Sequence, residues 1–242
     1  MRKEKIKDMA TTVKLGTLLL DGTDAKSGAK YQSGQSICFG EGNTIQWVIV
    51  NSLLIANRSL LVDISWEDLS KQNLVLGKTV LLNGQRFICR LLKVGTSETE
   101  VNEWDDALDV AGDETTLWHW KGSCFWGQEN PAPSRCVLRG YHSARYWYCD
   151  SSSRRYETLG FRPVLELQPS DHLVYGTEIC AIGGQSVLYG KLLEVTAYDV
   201  VIKPEAGSKL SKTDMGSLYT KLPDGMVIID RTQMKVQSIR EE

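Results

Sequence analysis

Residues 139–167 read RGYHSARYWYCDSSSRRYETLGFRPVLEL, and the two parts of this stretch demand different structures. Its last seven residues, Phe161 to Leu167, form a short apolar run with Pro163 near its start, which is the pattern of a buried strand. The preceding part, Tyr141 to Tyr156, follows neither a two-residue nor a 3.6-residue apolar period. Its Tyr, Trp, Ser, Asp and Arg make up the composition of a binding surface. Tyr and Trp offer large amphipathic contacts with few torsions to freeze, while the polar residues supply adaptable hydrogen bonds. Alternate residues can face opposite ways, so at least half of Tyr141–Tyr156 is expected to be exposed, with Trp147 shared between core and surface.

Upstream, residues 97–163 as a whole lack regular periodicity and include Pro131 and Pro133. A segment of that length is functional or packed on itself. Five of the seven tryptophans (Trp104, Trp118, Trp120, Trp126 and Trp147) fall within it, which favours self-packing. Trp47, Trp118 and Phe161 are assigned to the core, and most of the crowded tryptophans are expected to be buried.

A clear β pattern precedes this segment. Thr79–Leu82 and Gln85–Leu92 flank Asn83-Gly84, a pair suited to a two-residue hairpin turn in which both positions need positive φ. Strands are also expected over 14–20, 35–39 and 44–51, and the apolar signal continues over 53–62. Ile45, Trp47 and Ile49 should share one face. Ser65, followed by Glu67 and Asp68, reads as a helix N-cap with an acidic first turn. Residues 1–12 carry charge without an apolar period and read as a tail or frayed helix.

Downstream of Pro169, Glu178–Ile182 and Ser186–Leu193 flank Gly183-Gly184 as a second hairpin. A strand is expected over 195–203, and a final strand pair over 225–230 and 235–239. The expected organisation is an N-terminal tail and first strand (1–33), a main domain (34–169) and a small β module (170–242).

The chain of 242 residues carries 28 Lys+Arg against 30 Asp+Glu, a net charge of -2, so it has no overall basic field for general nucleic-acid binding. With 42% hydrophobic and 24% charged residues, its composition is that of a globular protein. No secretory signal or membrane-length apolar stretch is read, which implies a soluble protein, cytoplasmic or virion-associated, with no membrane contact. The six cysteines lack a C-x-x-C pair or a zinc spacing and are expected to be free thiols.

Charge is segregated in the centre. Glu98, Glu100, Glu103, Asp105, Asp106, Asp109, Asp113 and Glu114 occur without a basic neighbour, whereas Arg135, Arg139, Arg145, Arg154, Arg155 and Arg162 cluster further on. Mutual compensation is the favoured reading. The alternative is a Ca2+ site on the acidic arm and an anion-binding face on the arginine arm, although the spacing of a known calcium loop is absent. Otherwise no metal or cofactor is implied. Ser143 with His142, or Cys149 with His119 or His142, could serve as nucleophile and base. No established nucleophile, phosphate-loop or metalloprotease motif supports them.

Arg139–Trp147, Ser151–Arg155 and Leu159–Leu165 together resemble the C-terminal part of C-type lectin-like domains of the formylglycine-generating-enzyme type. They are most similar to bacterial and phage proteins ending in GFRPVL, some of whose relatives are variable proteins of diversity-generating retroelements. Gly34–Gly40, Ile45-Gln46-Trp47, Asn102–Asp105 and Leu117–Trp120 are similar to upstream parts of the same family, so the resemblance spans about 34–168. It implies an α+β fold, a C-type lectin-like domain rich in irregular loops, followed by the small all-β module. The enzyme branch uses a pair of active-site cysteines, and here only Cys149 lies in the matching region. The sugar-binding Glu-Pro-Asn and Trp-Asn-Asp motifs of lectins are missing, and Trp104-Asp105-Asp106 is the nearest approach.

The variable-protein branch implies a ligand face through Tyr141, His142, Tyr146, Tyr148, Asp150 and Ser152. With Arg139, Arg145 and Arg154 added from the aromatic and arginine composition, these residues form the candidate site. The expected function is non-catalytic binding of a protein or other macromolecular ligand by a protein encoded by a phage or mobile element, with the arginines orienting an acidic partner. Alternatives are a structural virion component, such as a tail or fibre accessory, and a cysteine- or histidine-dependent enzyme.

Overall fold

The computed structural model describes residues 10–239. The expected tail therefore lies largely outside the described residues. Strands make up 44% of the structure and helices 8%, the latter in three short pieces. This overturns the α+β expectation, and the protein is much closer to all-β. The physical reason is that apolar residues alternate or run in short blocks almost throughout. Helical spacing is confined to α1 (Trp66–Lys71), α2 (Glu103–Ala111) and α3 (Thr115–Trp118). Among the described residues, no helix is long and apolar enough to cross a membrane.

The first sheet has six antiparallel strands in the order Thr12–Lys14, Gln46–Val50, Leu53–Ala56, Pro163–Leu167, Gln85–Leu91, Lys78–Leu82. The Asn83-Gly84 hairpin is present as read, with φ of 49° and 72° at the turn. Its twist matches that of the strands it joins. Ile45, Trp47 and Ile49 do share a core, and Val48 and Val50 are buried in a second core on the opposite face. The strand is thus covered on both sides, which explains its continuous apolar run.

The expected strand 14–20 is broken. Gly16, at φ +69°, lies against Leu82 and separates Thr12–Lys14 from Thr17–Leu20. The second piece joins a three-stranded sheet with Thr23–Ala25 and Ile37–Gly40. The second six-stranded sheet runs Trp147–Ser151, Arg135–Gly140, Cys124–Trp126, Leu159–Phe161, Leu61–Val62, Ala29–Lys30. Between the first two sheets lies the main core, including Trp47, Phe87, Trp126, Leu138 and Phe161.

Ser65 caps α1 through a full capping box with Asp68, as its sequence implies. The expectation of irregular structure across 97–163 is corrected by α2, α3 and four strands. Asn102 caps α2 by accepting from the Asp105 N–H, and Trp104, Ala107 and Leu108 are buried at helical spacing. Trp104, Trp118 and Trp126 are fully buried, while Trp120 and Trp147 are half-buried.

Beneath α2 lies Arg162 of the GFRPVL run, itself fully buried. Its guanidinium sits 5.1 Å from the Trp104 ring and 4.6 Å from Phe125, and it donates to the Trp118 carbonyl at 2.5 Å. Cation–π attraction and this one bond hold a charge that burial otherwise disfavours. Burial, with Arg58 adding to it, lowers the Arg162 pKa to about 9. Of the crowded tryptophans, Trp104 packs against this internal cation and Trp118 meets Trp104 edge to face, while Trp126 belongs to the main core.

The third sheet is built wholly from residues after Pro169, in the order Tyr219–Lys221, Val227–Asp230, Asp199–Pro204, Ser186–Val195, Glu178–Gly183, Lys235–Ser238. The Gly183-Gly184 hairpin joins its two long strands, with Gly183 opposite Ser186. The last two strands are not the expected pair. Met234 inserts over Gly183, which has no side chain to obstruct it, and carries the chain to the far edge of the sheet. One face of this sheet has its own core, while Cys180, Ile182 and Val187 on the other close the main core. Gln237 joins the two parts by accepting from the Arg86 N–H at 2.7 Å and donating to the Arg86 carbonyl at 2.8 Å.

Candidate recognition face

Residues 139–151 lie on a hairpin at the edge of the second sheet. Arg135–Gly140 pairs with Trp147–Ser151, and the ladder extends through the Gly140 N–H to the Tyr146 carbonyl at 3.1 Å. Strand alternation then sorts the side chains. Trp147 and Cys149 face the core of Trp104, Phe125 and Val137. Tyr146, Tyr148 and Asp150 point the other way.

The connecting loop has a forced backbone. Gly140 sits at φ 98°, and a side chain there would meet the Ser123 carbonyl at 2.7 Å. Tyr141 also has positive φ, at 81°. A bulky residue in that region stores strain that its surroundings must hold. They do so with three backbone bonds: the Tyr141 N–H donates to the carbonyls of Trp120 and Ser123 at 3.0 and 2.9 Å, and the Tyr141 carbonyl accepts from Gly122 at 3.0 Å.

Beneath the loop, α2 supplies the anchors. The Trp104 indole donates to the Ala144 carbonyl at 2.8 Å. Arg139 donates to the carbonyls of Val94 and Arg145 and pairs with Asp105 at 2.5 Å. Arg145 bridges Asp105 at 3.2 Å and Asp109 at 2.5 Å, on successive turns of the helix. Compensation between the acidic and arginine segments is thus what the structure contains. Arg90 adds a bidentate pair to Glu103 at 2.7 and 2.8 Å.

On this fixed loop the aromatic rings stand in solvent. Tyr141, Tyr146 and Tyr148 are 41%, 39% and 47% exposed. His142 lies edge-on between Tyr141 and Tyr146, with 4.9 Å between ring centroids on each side. Asp150 is half-buried, pairs with Arg154 at 3.8 Å and accepts from the Tyr156 hydroxyl. Nine of the sixteen residues Tyr141–Tyr156 are exposed, as composition alone implied.

Two nominated residues are not at the surface. Arg139 is 1% exposed, because cross-strand register sets it beside Trp147 on the inward face. Ser152 is buried and donates to Glu67 at 2.8 Å. Both support the face from within. The other nominated arginines also have acidic partners. The residues that the sequence reading missed, Asp105, Asp109 and Ala144, do the anchoring. Asp105 and Asp109 are four residues apart, a spacing that puts both on one helix face.

None of the proposed catalytic pairs is hydrogen-bonded among the described residues. His119 Nε2 accepts from Arg58 at 2.5 Å, and Nδ1 contacts the Leu117 carbonyl at 3.2 Å. His142 contacts the two tyrosine rings. Burial pushes the Cys149 thiol up, so at neutral pH it is protonated and a poor nucleophile. Among the described residues, no group of three His, Cys, Asp or Glu side chains could hold a metal ion. The described cysteines are all free. No family description, curated protein or solved structure matches this chain.

Proposed function

We propose that this is a non-catalytic binding protein that recognises a macromolecular partner through Tyr141, His142, Tyr146 and Tyr148. The observation that carries the proposal is the pairing of exposed aromatic rings with a loop anchored to α2 from below. Ordering flexible side chains and loops on binding costs free energy, and a loop already fixed avoids most of it. Aromatic side chains on rigid supports dominate binding energy at interfaces. The motif resemblance of residues 139–165 points to the same segment.

The arginines enter this proposal differently from their role in the sequence reading. Arg139 and Arg145 are engaged with Asp105 and Asp109, so they orient the loop rather than an acidic partner. Contact area from the tyrosines supplies the affinity. Several exposed rings gathered on one loop offer the contact area of a macromolecular interface.

The test is partner capture from host lysate by the purified chain, with identification by mass spectrometry and measurement of affinity. Tyr146→Ala with Tyr148→Ala should weaken capture by about 700-fold, as expected for two anchor residues of about 2 kcal/mol each. Their exposed positions predict a thermal midpoint close to that of the unaltered chain. A large loss of stability with capture retained would refute the proposal.

A further inference from the structure

Two clefts away from the aromatic face, of about 570 and 540 Å³, adjoin along the first strand and share Lys14 and Gln46 in their walls. They form one groove. Lys14, Lys26 and Arg58 line one half, and Lys14 and Lys209 line the other. Asp24 is the one carboxylate in the lining. Among the described residues, none of these four cations has an ion-pair partner, whereas Arg90, Arg139, Arg145 and Arg155 do.

Arg58 is also held in place. It donates to His119 Nε2 at 2.5 Å, which fixes the neutral tautomer with Nδ1–H directed to the Leu117 carbonyl. His119 itself is set by left-handed backbone, φ 49° and ψ 42°. A guanidinium tied at one nitrogen keeps its remaining N–H groups for a ligand with little further ordering. Arg162 adds to the local positive potential. It is fully buried without an acidic partner, and its Nε and Nη1 have no hydrogen-bond acceptor among the described residues. Its field reaches Arg58 and His119 through a low-dielectric interior.

The rest of the groove mixes neutral polar groups with apolar ones. Thr17, Thr44 and Asn57 line the Arg58 half. In the other half, Asn43, Asn83 and Tyr189 stand beside the apolar Val13, Leu15, Ala206 and Ile239.

We propose that this groove binds a small phosphate-bearing molecule, with Arg58 and Lys26 on the phosphate. Each half falls within the usual volume range of small-ligand sites. Its lining shares no residue with the aromatic face.

Isothermal titration with inorganic pyrophosphate tests the proposal, with citrate as the carboxylate control. Pyrophosphate should bind with a dissociation constant of about 1 mM or tighter, and more tightly than citrate. Arg58→Ala with Lys26→Ala should weaken binding about tenfold or more while leaving the thermal midpoint unchanged, since both side chains are exposed. His119→Ala should weaken it less, by releasing Arg58. Tyr146→Ala with Tyr148→Ala should leave pyrophosphate affinity intact, which separates this site from the recognition face. The proposal is overturned if pyrophosphate shows no heat up to about 10 mM. Equal affinity in the Arg58/Lys26 variant would also overturn it, as would citrate binding as tightly as pyrophosphate.

Discussion

Asp105→Asn is the most informative single change, because that carboxylate holds together the helix and the recognition loop. Its Oδ2 meets Arg139 at 2.5 Å, and its Oδ1 meets Arg145 at 3.2 Å. The Arg139 side chain is 1% exposed, so removal of the negative charge leaves a buried cation without a partner. Breaking a buried pair in this way costs about 3–5 kcal/mol. Arg139 would keep its bonds to the Val94 and Arg145 carbonyls, which places the expected loss near the lower bound, at about 3 kcal/mol. The cap of α2 keeps its backbone bond, because Asn102 accepts from the N–H of residue 105; the Asn102 amide also donates to Asp105 Oδ2 at 2.6 Å, and the amide oxygen of the substituted side chain can still accept it.

For a chain of this size, a loss of that order lowers the thermal midpoint by about 6–12 °C. Urea denaturation gives the free energy directly and calorimetry gives the midpoint. Asp109→Asn is the matched control. It also faces Arg145, but both partners are largely solvated, so the loss should stay below about 0.5 kcal/mol. Replacing both members of the buried pair, Arg139→Met with Asp105→Leu, should recover much of the lost stability, because no uncompensated charge remains. If Asp105→Asn costs less than about 1 kcal/mol and matches Asp109→Asn, the pair does not hold the loop and the reasoning fails.

Two further outcomes follow from groups whose titration is shifted. Burial, with the Arg58 charge second, lowers the His119 pKa from its ordinary 6.5, so the unfolded chain takes up a proton before the folded one does. The corresponding stability is therefore complete above about pH 6.5 and is lost as pH falls through the lowered native value; a His119→Gln variant whose midpoint keeps the same pH dependence would contradict this. Burial raises the Cys124 pKa to about 11 and the Cys136 pKa to about 12, and it also raises that of Cys149. In a Cys38→Ser background, which removes the exposed thiol, native alkylation at neutral pH should be slow, and a rapidly labelled Cys149 would revive a nucleophilic role.

The parts of the fold that could be read in advance are those set by local backbone chemistry. Asn83-Gly84 specifies its hairpin because few other pairs tolerate two positive φ angles in succession. Ser65 specifies a helix start because its hydroxyl and the Asp68 carboxylate satisfy each other's backbone N–H. The tyrosine-rich segment was legible as surface from composition. By contrast, α2 was obscured by its own acidic residues, which drew attention to charge and away from Trp104, Ala107 and Leu108 at helical spacing. Arg139 was misplaced because arginine is usually exposed. Its parity with Val137, a core residue of the same strand, was the available signal for an inward side chain. The strand order of the third sheet depends on Met234 meeting Gly183, a contact between residues 51 positions apart that no local pattern encodes.

These corrections change what the charge segregation means. Eight carboxylates in one segment and six arginines in another suggested two ligand sites, one for a cation and one for an anion. In the folded chain, members of the two groups meet: α2 presents Asp105 and Asp109 to Arg139 and Arg145 across the base of a single loop. Charge neutralised internally offers little net attraction to an outside ligand, but it fixes the backbone that carries Tyr141, His142 and Tyr146. A tyrosine on such a support has two side-chain torsions left to order, and about 40% of its surface is still open here. In the proposed binding role, the ion pairs act through pre-organisation rather than contact. Uncompensated positive charge lies instead along the groove of Lys14, Lys26, Arg58 and Lys209, where sequence distance had hidden that these residues converge.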